Sequence, residues 1–303
     1  MTGGKHGSIV AGMAWMLLST LLFVGVTGTV RHLGSDMSAP QAAFIRYAFG
    51  ILLLTPFLLR LKARALITPR MGLHAARGVV HGIGVMLWFY AMARIPIAEV
   101  TALGYTTPIF ITLGAALFLG ERFQIRRLIA ILIGILGTVI IVRPGFVTVE
   151  LGTLAQIAAA PLFAASALVS KKLTETESSG SIIALMSLFV TLTLMPAALI
   201  NWRTPSPSEL AWLFVTATLA TLGHYTLTRA FQATEITVTQ PLSFLQLVWA
   251  TLLGYYVFAE TPDIWTIIGS VIIVGSATYI AHREAILSRS LAAADPLASA
   301  KNR

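Results

Sequence analysis

The sequence predicts an all-α, polytopic membrane protein whose ten transmembrane helices form two inverted five-helix repeats. Three observations predict this fold class. The chain of 303 residues is 56% hydrophobic and only 11% charged, whereas soluble proteins are about 25% charged. It contains ten apolar runs close to the ~20 residues that cross a bilayer. Two of its stretches, 97–144 and 236–282, have the same layout half a chain apart.

The repeated layout is an apolar run, a charged turn and a second apolar run. A shift of 139 residues places Glu121 on Glu260 and Tyr105 on Phe244. Because each unit holds an odd number of helices, the second unit must enter the membrane upside down, as in many secondary transporters. The predicted organisation is a first repeat over 1–145, a second, inverted repeat over 146–284, and a disordered cytoplasmic tail over 285–303.

The ten helices follow one another with short connections, so no soluble domain fits between them. They are predicted at roughly 10–30, 40–60, 72–93, 97–119, 126–143, 151–171, 181–200, 208–231, 236–258 and 264–282. With the N-terminus inside, fifteen Lys and Arg fall on the inner side and four on the outer side. The positive-inside rule therefore predicts a multi-pass inner-membrane protein with both termini in the cytoplasm.

The composition also excludes several classes of protein. The chain has no Cys, so it has neither disulfides nor thiolate metal sites. It contains no HExxH motif and no Gly-rich phosphate loop, and its histidines are scattered. We therefore expect no enzyme, no metal and no cofactor. The net charge is +9, and the Lys and Arg residues lie in short loops between apolar runs. This placement is explained by membrane topology and does not indicate a nucleic-acid partner.

Candidate functional residues must lie within the helices. No Asp or Glu is near the middle of a predicted helix, so obligatory proton coupling through a buried carboxylate is not expected. His81 and His224 lie inside helices that correspond under the duplication. One interpretation is that both line a central polar cavity and bind the substrate. The other is that each is bound by a neighbouring helix and holds the bundle together.

Aromatic and small polar residues complete the predicted substrate site. They are Trp15, Ser19, Trp88, Thr101, Tyr105, Phe163, Gln240 and Phe244. Such a cavity suits a neutral or zwitterionic molecule with an apolar side chain, although aromatics near helix ends also mark the headgroup belt. The helix breakers Pro108, Pro161 and Pro241 are either hinges of a moving carrier or static kinks.

The remaining charged and small residues have structural interpretations. Arg46 and Arg77 are expected to reach the headgroups with their long side chains; the alternative is a gate ion pair or an anion contact near the outer mouth. In either case no Lys or Arg lies at the midplane to bind a phosphate. Glu121 and Glu260 are expected to cap the helix that follows each hairpin turn. Gly78-x-x-x-Gly82 and Gly134-x-x-Gly137 permit close helix contacts.

One stretch resembles a known family. It runs from Tyr105-Thr106-Thr107-Pro108 through Leu119-Gly120-Glu121-Arg122 to Gly134-x-x-Gly137. This pattern is similar to the EamA type of the drug/metabolite transporter superfamily and, within it, to amino-acid exporters of the YddG type. The second copy departs from the pattern, with Leu247 in the region of the proline and Ala259-Glu260 in place of Gly-Glu.

The resemblance implies a secondary transporter that works by alternating access. Together with the cavity residues, it predicts export of neutral amino acids with aromatic or other apolar side chains, or of related small metabolites, by uniport. The expected partners are the small-molecule substrate and the lipid bilayer, with a monomer or homodimer as the assembly. The alternative is an efflux carrier for drugs, lipophilic cations or other metabolites, with or without proton coupling.

Overall fold

The fold is known from a computed structural model that describes residues 9–60, 68–118, 125–143, 145–146, 148–173, 176–177, 179–233, 242 and 245–294. These residues form α-helices and connecting turns, without strands, which confirms the predicted all-α class. The eleven helices of the described residues are α1 Ile9–Leu33, α2 Ala39–Arg60, α3 Met71–Met92, α4 Ile97–Gly104, α5 Thr107–Phe118, α6 Ile125–Val142, α7 Leu151–Leu173, α8 Ser179–Ile200, α9 Pro207–Ala233, α10 Leu245–Phe258 and α11 Ile264–Ala294.

The outward-facing helix surfaces are apolar, unlike those of a soluble protein, while the interior combines apolar side chains with buried hydroxyl groups. Helix α8 exposes a single stripe of apolar side chains at three- and four-residue spacing, namely Leu188, Leu192, Met195 and Leu199. Inside the bundle, the Thr216 hydroxyl donates to Thr29 Oγ1 at 2.9 Å and links α9 to α1. Five described helices, α1, α3, α7, α8 and α9, are long and apolar enough to cross a bilayer. The count of ten spans stays a prediction.

The two halves of the chain pack against each other with an approximate two-fold relation. Helix α1 of the first half packs on α9 of the second, and α3 packs on α7. Exchanging the halves converts the first of these contacts into the second. The contacts of α2 with α8 and of α6 with α11 map onto themselves. Duplicated repeats produce this pattern, although their inverted orientation stays a prediction.

Glycines set the closest helix contacts. A methyl group on Gly78 would lie 2.2 Å from Phe189 Cβ, and one on Gly82 would lie 3.2 Å from Thr193 Cγ2. Both contacts join α3 to α8. A methyl group on Gly137 would lie 2.9 Å from the Gly269 carbonyl oxygen, where α6 meets α11. The close helix contact predicted for Gly78 and Gly82 is therefore confirmed, whereas Gly137 packs on α11 of the other half and not within its own hairpin as predicted.

The prediction of one continuous helix over 97–119 is wrong. Helix α4 ends at Gly104 and α5 begins at Thr107. Between them, the amides of Tyr105 and Thr106 donate to carbonyls only three residues back, each at 3.1 Å. Pro108 explains the break, because proline has no N–H to donate and disfavours helical backbone in the residue before it.

The last two helices also differ from their predicted limits. Helix α11 continues to Ala294, beyond the boundary at residue 284 predicted for the second repeat. Its final segment is rich in Ala and Leu, which are strong helix formers. Helix α10 is described from Leu245 onward. Gln240, Pro241 and Phe244 of the predicted site, and the capping residue Glu121, lie outside the described residues.

The contact between α3 and α8 predicts the effect of a single methyl group. Gly78→Ala should destabilise the fold by about 1–3 kcal/mol, because the new Cβ meets Phe189 Cα at 3.1 Å as well as its Cβ. Thermal melting in detergent measures the effect. Gly72→Ala on the same helix is the control, since a Cβ there meets nothing within 4 Å. Equal melting temperatures for the two variants would contradict the tight contact.

Candidate functional site

A polar network joins α2, α3 and α7 near the middle of their lengths. Its centre is His81 on α3. The Nε2 atom of His81 lies 3.1 Å from the Tyr47 hydroxyl of α2, and its Nδ1 atom lies 3.1 Å from Ser166 Oγ of α7. Both ring nitrogens are therefore engaged, and one imidazole connects three helices.

Arg77 joins the same network one helical turn before His81. The spacing of four residues places both side chains on one face of α3. Arg77 donates from Nε to Ser166 Oγ and from Nη1 to the Ile182 carbonyl of α8, each at 3.4 Å, and it is only 9% exposed. The expectation that Arg77 reaches the headgroups is wrong, because α7 and α8 cover the guanidinium and supply its acceptors.

Arg46 adds a second guanidinium. Its Cζ atom lies 4.1 Å from the centroid of the Tyr47 ring, a cation–π contact. The side chain is also close enough to His81 and His224 to act on both electrostatically. It therefore belongs to the network instead of extending to the outer headgroups as expected.

His224 of α9 lies on the far side of this group. Its ring packs edge-on against Phe23, with centroids 5.1 Å apart. It interacts electrostatically with Arg46, Arg77 and His81, yet it is exposed. His224 is thus an exposed residue whose charge interacts with the central network.

The surroundings of the network are apolar and its charge is positive. The Phe163 ring packs at 5.3 Å from the His81 ring. Within the part of the chain that the structure describes, Arg77 and His81 contact hydroxyl and carbonyl oxygens but no carboxylate. Two guanidinium groups in a low-dielectric bundle create a positive potential that an anionic group would offset.

The other predicted residues on α1 lie on its interface with α9. Ser19 is buried and donates to the Gly223 carbonyl at 3.1 Å, directly beside His224. Trp15 packs edge-on against Tyr225 at 6.5 Å. Ser19 thus supports the position of His224, while Trp15 belongs to the helix interface.

The predicted residues on α3, α4 and α7 are only partly brought together. Trp88 lies two turns from His81 and packs on Phe89, with ring centroids 5.4 Å apart. Thr101 donates to the Ile97 carbonyl of its own helix at 2.8 Å. Tyr105 packs in a separate apolar cluster with Ile141 and Ile273. Pro161 lies inside an uninterrupted α7. Pro108 belongs to α5, and its surroundings are outside the description.

Sequence reasoning missed Tyr47 and preferred a headgroup role for Arg46 and Arg77 over the alternative of a gate ion pair or an anion contact. The available signal was that both arginines lie inside apolar runs, since an ionisable residue in a membrane helix indicates a functional site by default. Tyr47 directly follows one of them. The contact partners of these residues come from other helices, so the sequence alone does not reveal them.

The ends of the bundle are held by separate polar contacts. At one end, Glu260 Oε2 accepts from the Ile97 amide at 2.8 Å, and Oε1 lies 2.6 Å from Arg31 Nη2. The prediction that Glu260 caps the helix after its own turn is wrong, because the carboxylate caps α4 in the other half. The positive end of the α4 dipole and the Arg31 guanidinium together attract it.

At the opposite end, Glu177 joins the start of α3 to the connection between α7 and α8. Its Oε2 atom lies 2.7 Å from Nε2 of the fully buried His74, and Thr68 donates to Oε1. Burial alone would raise the pKa of Glu177, but the hydrogen bonds from Thr68 and His74 outweigh it and hold the pKa below the ordinary value.

A cavity of about 370 Å³ lies between the end of α1 and the start of α9. Its charged residues include Arg203 and Glu209, which form an ion pair with each other. Asp36 also lines this cavity, so its lining carries more negative than positive charge, whereas the network around His81 is positive.

Comparisons with known proteins identify the family. The model of the EamA-like transporter family matches twice, over residues 10–143 and 150–281. The chain belongs to the EamA-like transporter family. It is therefore a membrane-embedded transporter, as the resemblance in the sequence implied. The double match agrees with the duplication predicted from the two hairpins.

Three relatives match over most of their length. An S-adenosylmethionine uptake transporter of Rickettsia bellii is 29% identical and covers 90% of this chain and 94% of its own. A riboflavin transporter of Brucella anthropi is 31% identical over 91% and 100%. A pseudopaline exporter of Pseudomonas aeruginosa is 27% identical over 87% and 93%. A solved structure with a TM-score of 0.58 and 21% identity covers 90% of this chain and 97% of its own, and it shows the same fold.

These relatives correct the narrower resemblance. They are transporters of S-adenosylmethionine, riboflavin and pseudopaline, and the YddG type of amino-acid exporter is not among the relatives named here. The superfamily and the EamA type are confirmed, together with transport of small metabolites. The relatives include uptake and export proteins, so family membership alone leaves the direction open.

The contacts of Glu260 predict how access to the bundle is controlled. Glu260→Gln should weaken the attachment of Arg31 and α4, with loss of about 1.5 kcal/mol, and opening at this end should increase on the order of tenfold. Because the chain has no Cys, a single Thr101→Cys reports opening through its labelling rate with a membrane-impermeant thiol reagent. Glu209→Gln, which breaks an ion pair away from α4, is the control. An unchanged labelling rate would refute the role of Glu260.

The lowered pKa of Glu177 predicts a pH-dependent stability. The ionised carboxylate stabilises the fold at neutral pH, and this contribution is lost as the pH falls below the ordinary value of 4.5. Glu177→Gln should therefore lower the melting temperature at pH 7, and the difference from the unmodified protein should shrink near pH 4. The exposed Glu150 supplies the control, Glu150→Gln. A difference that grows toward acid pH would contradict this assignment.

Proposed function

We propose that this protein transports a small metabolite that bears a carboxylate or another anionic group, by alternating access between two inverted repeats. The observation that carries the proposal is the network of Arg46, Tyr47, Arg77, His81 and Ser166 near the helix midpoints. Substrate sites of such transporters lie near the midplane, between the repeats.

The charge of the network supports an anionic group on the substrate. Arg77 is buried, with two long hydrogen bonds to neutral acceptors. A guanidinium in this setting binds carboxylates and phosphates strongly, because charge-assisted hydrogen bonds strengthen in a low dielectric. The substrate would supply the negative charge that Arg77 lacks among its contacts.

A zwitterionic amino acid falls within this class. Its carboxylate would bind near Arg77, and its side chain would contact the aromatic rings of Phe23 and Phe163, which pack on His224 and His81. Export of neutral amino acids with apolar side chains by uniport remains our specific form of the proposal. One relative is an uptake transporter for S-adenosylmethionine, an amino-acid derivative that has a carboxylate but also a permanent sulfonium cation, so it supports the carboxylate and not the exclusion of cations.

The alternative of a lipophilic-cation carrier is disfavoured by the same charges. A permanent cation beside Arg46 and Arg77 would be repelled, since like charges a few ångströms apart cost several kcal/mol even at an effective dielectric constant of about 20. A multidrug site for cations would need a carboxylate near the midplane. Glu99, the acidic residue of α4, lies in its first turn and accepts from Thr153 at 2.8 Å.

The arrangement of repeats and end contacts supports alternating access. The exchange of helix contacts between the halves fits two repeats related by a two-fold axis, and inverted repeats place the rocking axis near the midplane. Glu260 holds one end of the bundle and Glu177 the other. Transport requires that the contacts at the two ends break in turn. The Lys and Arg distribution supports a cytoplasmic location for both termini, with the protein in the inner membrane.

Counterflow into liposomes tests the proposed substrate class. The purified protein is reconstituted and offered phenylalanine, phenylalanine amide, S-adenosylmethionine, riboflavin and tetraphenylphosphonium. We expect exchange of carboxylates, with phenylalanine far ahead of its amide, which lacks the carboxylate but keeps the ring and the amine. Transport of tetraphenylphosphonium without any carboxylate would overturn the proposal in favour of the cation carrier. Empty liposomes give the background.

Replacing the buried guanidinium of Arg77 should specifically reduce the affinity for a carboxylate substrate. Arg77→Gln should raise the half-saturating concentration of a carboxylate substrate by roughly tenfold or more, since a hydrogen bond to a charged group contributes about 1.5–3 kcal/mol. Arg77→Lys should recover part of this loss, because it keeps the charge without the planar fork. Arg94→Gln is the matched control, because Arg94 is exposed and contacts Tyr90 at the end of α3. Equal affinities for Arg77→Gln and Arg94→Gln would contradict the assignment.

A further inference from the structure

The direction of each hydrogen bond in the central network follows from its chemistry. A guanidinium only donates, so Arg77 donates to Ser166 Oγ. Ser166 has one proton of its own to donate. Among its contacts in the described residues, His81 Nδ1 is the acceptor, because Arg77 has no lone pair to offer. Ser166 therefore donates to His81 Nδ1.

This direction determines the tautomer of His81. A neutral imidazole that accepts at Nδ1 carries its proton on Nε2. The Nε2–H then donates to the Tyr47 oxygen at 3.1 Å. Each tautomer leaves one hydroxyl proton without an acceptor, that of Tyr47 in the Nε2–H form and that of Ser166 in the Nδ1–H form. The hydrogen bond from the Arg77 guanidinium polarises the Ser166 hydroxyl and strengthens it as a donor, which favours the Nε2–H form.

The chain of donors ends at the Tyr47 hydroxyl. Its oxygen already accepts from His81, so its proton is left to donate, and the contacts of the described residues provide no acceptor for it. Tyr47 is 5% exposed, and a buried hydroxyl proton needs an acceptor. The Arg46 guanidinium on the Tyr47 ring adds positive charge beside this donor.

We propose that Tyr47 is a specificity-determining residue whose hydroxyl donates to the substrate carboxylate, and that Arg77, Ser166 and His81 form a one-way relay that keeps its proton available. This inference rests on the proposed transport of an anionic metabolite and adds the contacting group. The Tyr47 hydroxyl at the end of the relay donates to an oxygen anion. An ammonium group, which only donates, finds the Tyr47 oxygen already used by His81.

The tautomer of His81 tests the relay without any substrate. Nitrogen NMR of histidine-labelled protein in detergent at neutral pH distinguishes Nε2–H, Nδ1–H and the imidazolium, and His81→Gln assigns the signal. We expect the Nε2–H form in the unmodified protein and a shift toward Nδ1–H in Ser166→Ala, where Nδ1 loses its donor. An Nδ1–H form or an imidazolium in the unmodified protein overturns the relay, whatever the protein transports.

The Tyr47→Phe variant tests the contact with substrate by counterflow. We expect a roughly tenfold higher half-saturating concentration for a carboxylate substrate, with the Nε2–H form of His81 retained because Ser166 still donates. Tyr90→Phe is the control, because Tyr90 has no described contact with the network. The melting temperatures of both variants establish folding. Unchanged affinity in Tyr47→Phe together with reduced affinity in Arg77→Gln would refute this inference alone. Unchanged affinity in both variants would refute the proposed function as well.

Discussion

The burial of one guanidinium is the constraint on which the rest of the central structure depends. Arg77 lies inside a bundle whose outer surface is built for lipid, where an unsatisfied charge is costly. Its acceptors come from two further helices, Ser166 on α7 and the Ile182 carbonyl on α8. The position of α3 relative to α7 and α8 is therefore tied to the solvation of a single side chain. The same hydroxyl that accepts from Arg77 also orients His81.

Helix α3 takes part in both the close packing and the polar network, through residues on adjacent faces. Gly78 and Gly82 let α3 approach α8 closely, with Phe189 and Thr193 directly opposite. Arg77 and His81 alternate with these glycines along the same turns of α3. Side chains at Gly78 or Gly82 would push α8 away, and with it the Ile182 carbonyl that accepts from Arg77. Close packing is thus a condition for satisfying the buried charge, and stability and function share this contact.

Much of the fold followed from the sequence, because helix length and apolar character are local properties. The positions of most helices came from patterns within single segments, the duplication came from the comparison of two stretches, and His81 and His224 became candidates because they lie inside apolar runs. The break before Pro108 was also a local signal, since proline restricts the preceding residue. Contact partners on distant helices could not be predicted from the sequence. Glu260 and Ile97 are 163 residues apart, and a single sequence shows no sign that they meet. Whether Arg77 is buried or at the surface depends on α7 and α8. The length and charge of its side chain alone therefore led to a wrong prediction.

Helix α4 lies between a polar contact at its N-terminus and a break in the helix at its C-terminus. Its N-terminus is held by Glu260 through the Ile97 amide, and its C-terminus ends at the break before α5. At only eight residues, α4 is too short to cross a bilayer by itself, and the break separates its backbone from that of α5. Tilting would carry its N-terminus away from Glu260 and Arg31 and open that end of the bundle. A broken helix would give such a carrier a small moving part, while Arg77 and His81 on the unbroken α3 would keep the proposed substrate site in place.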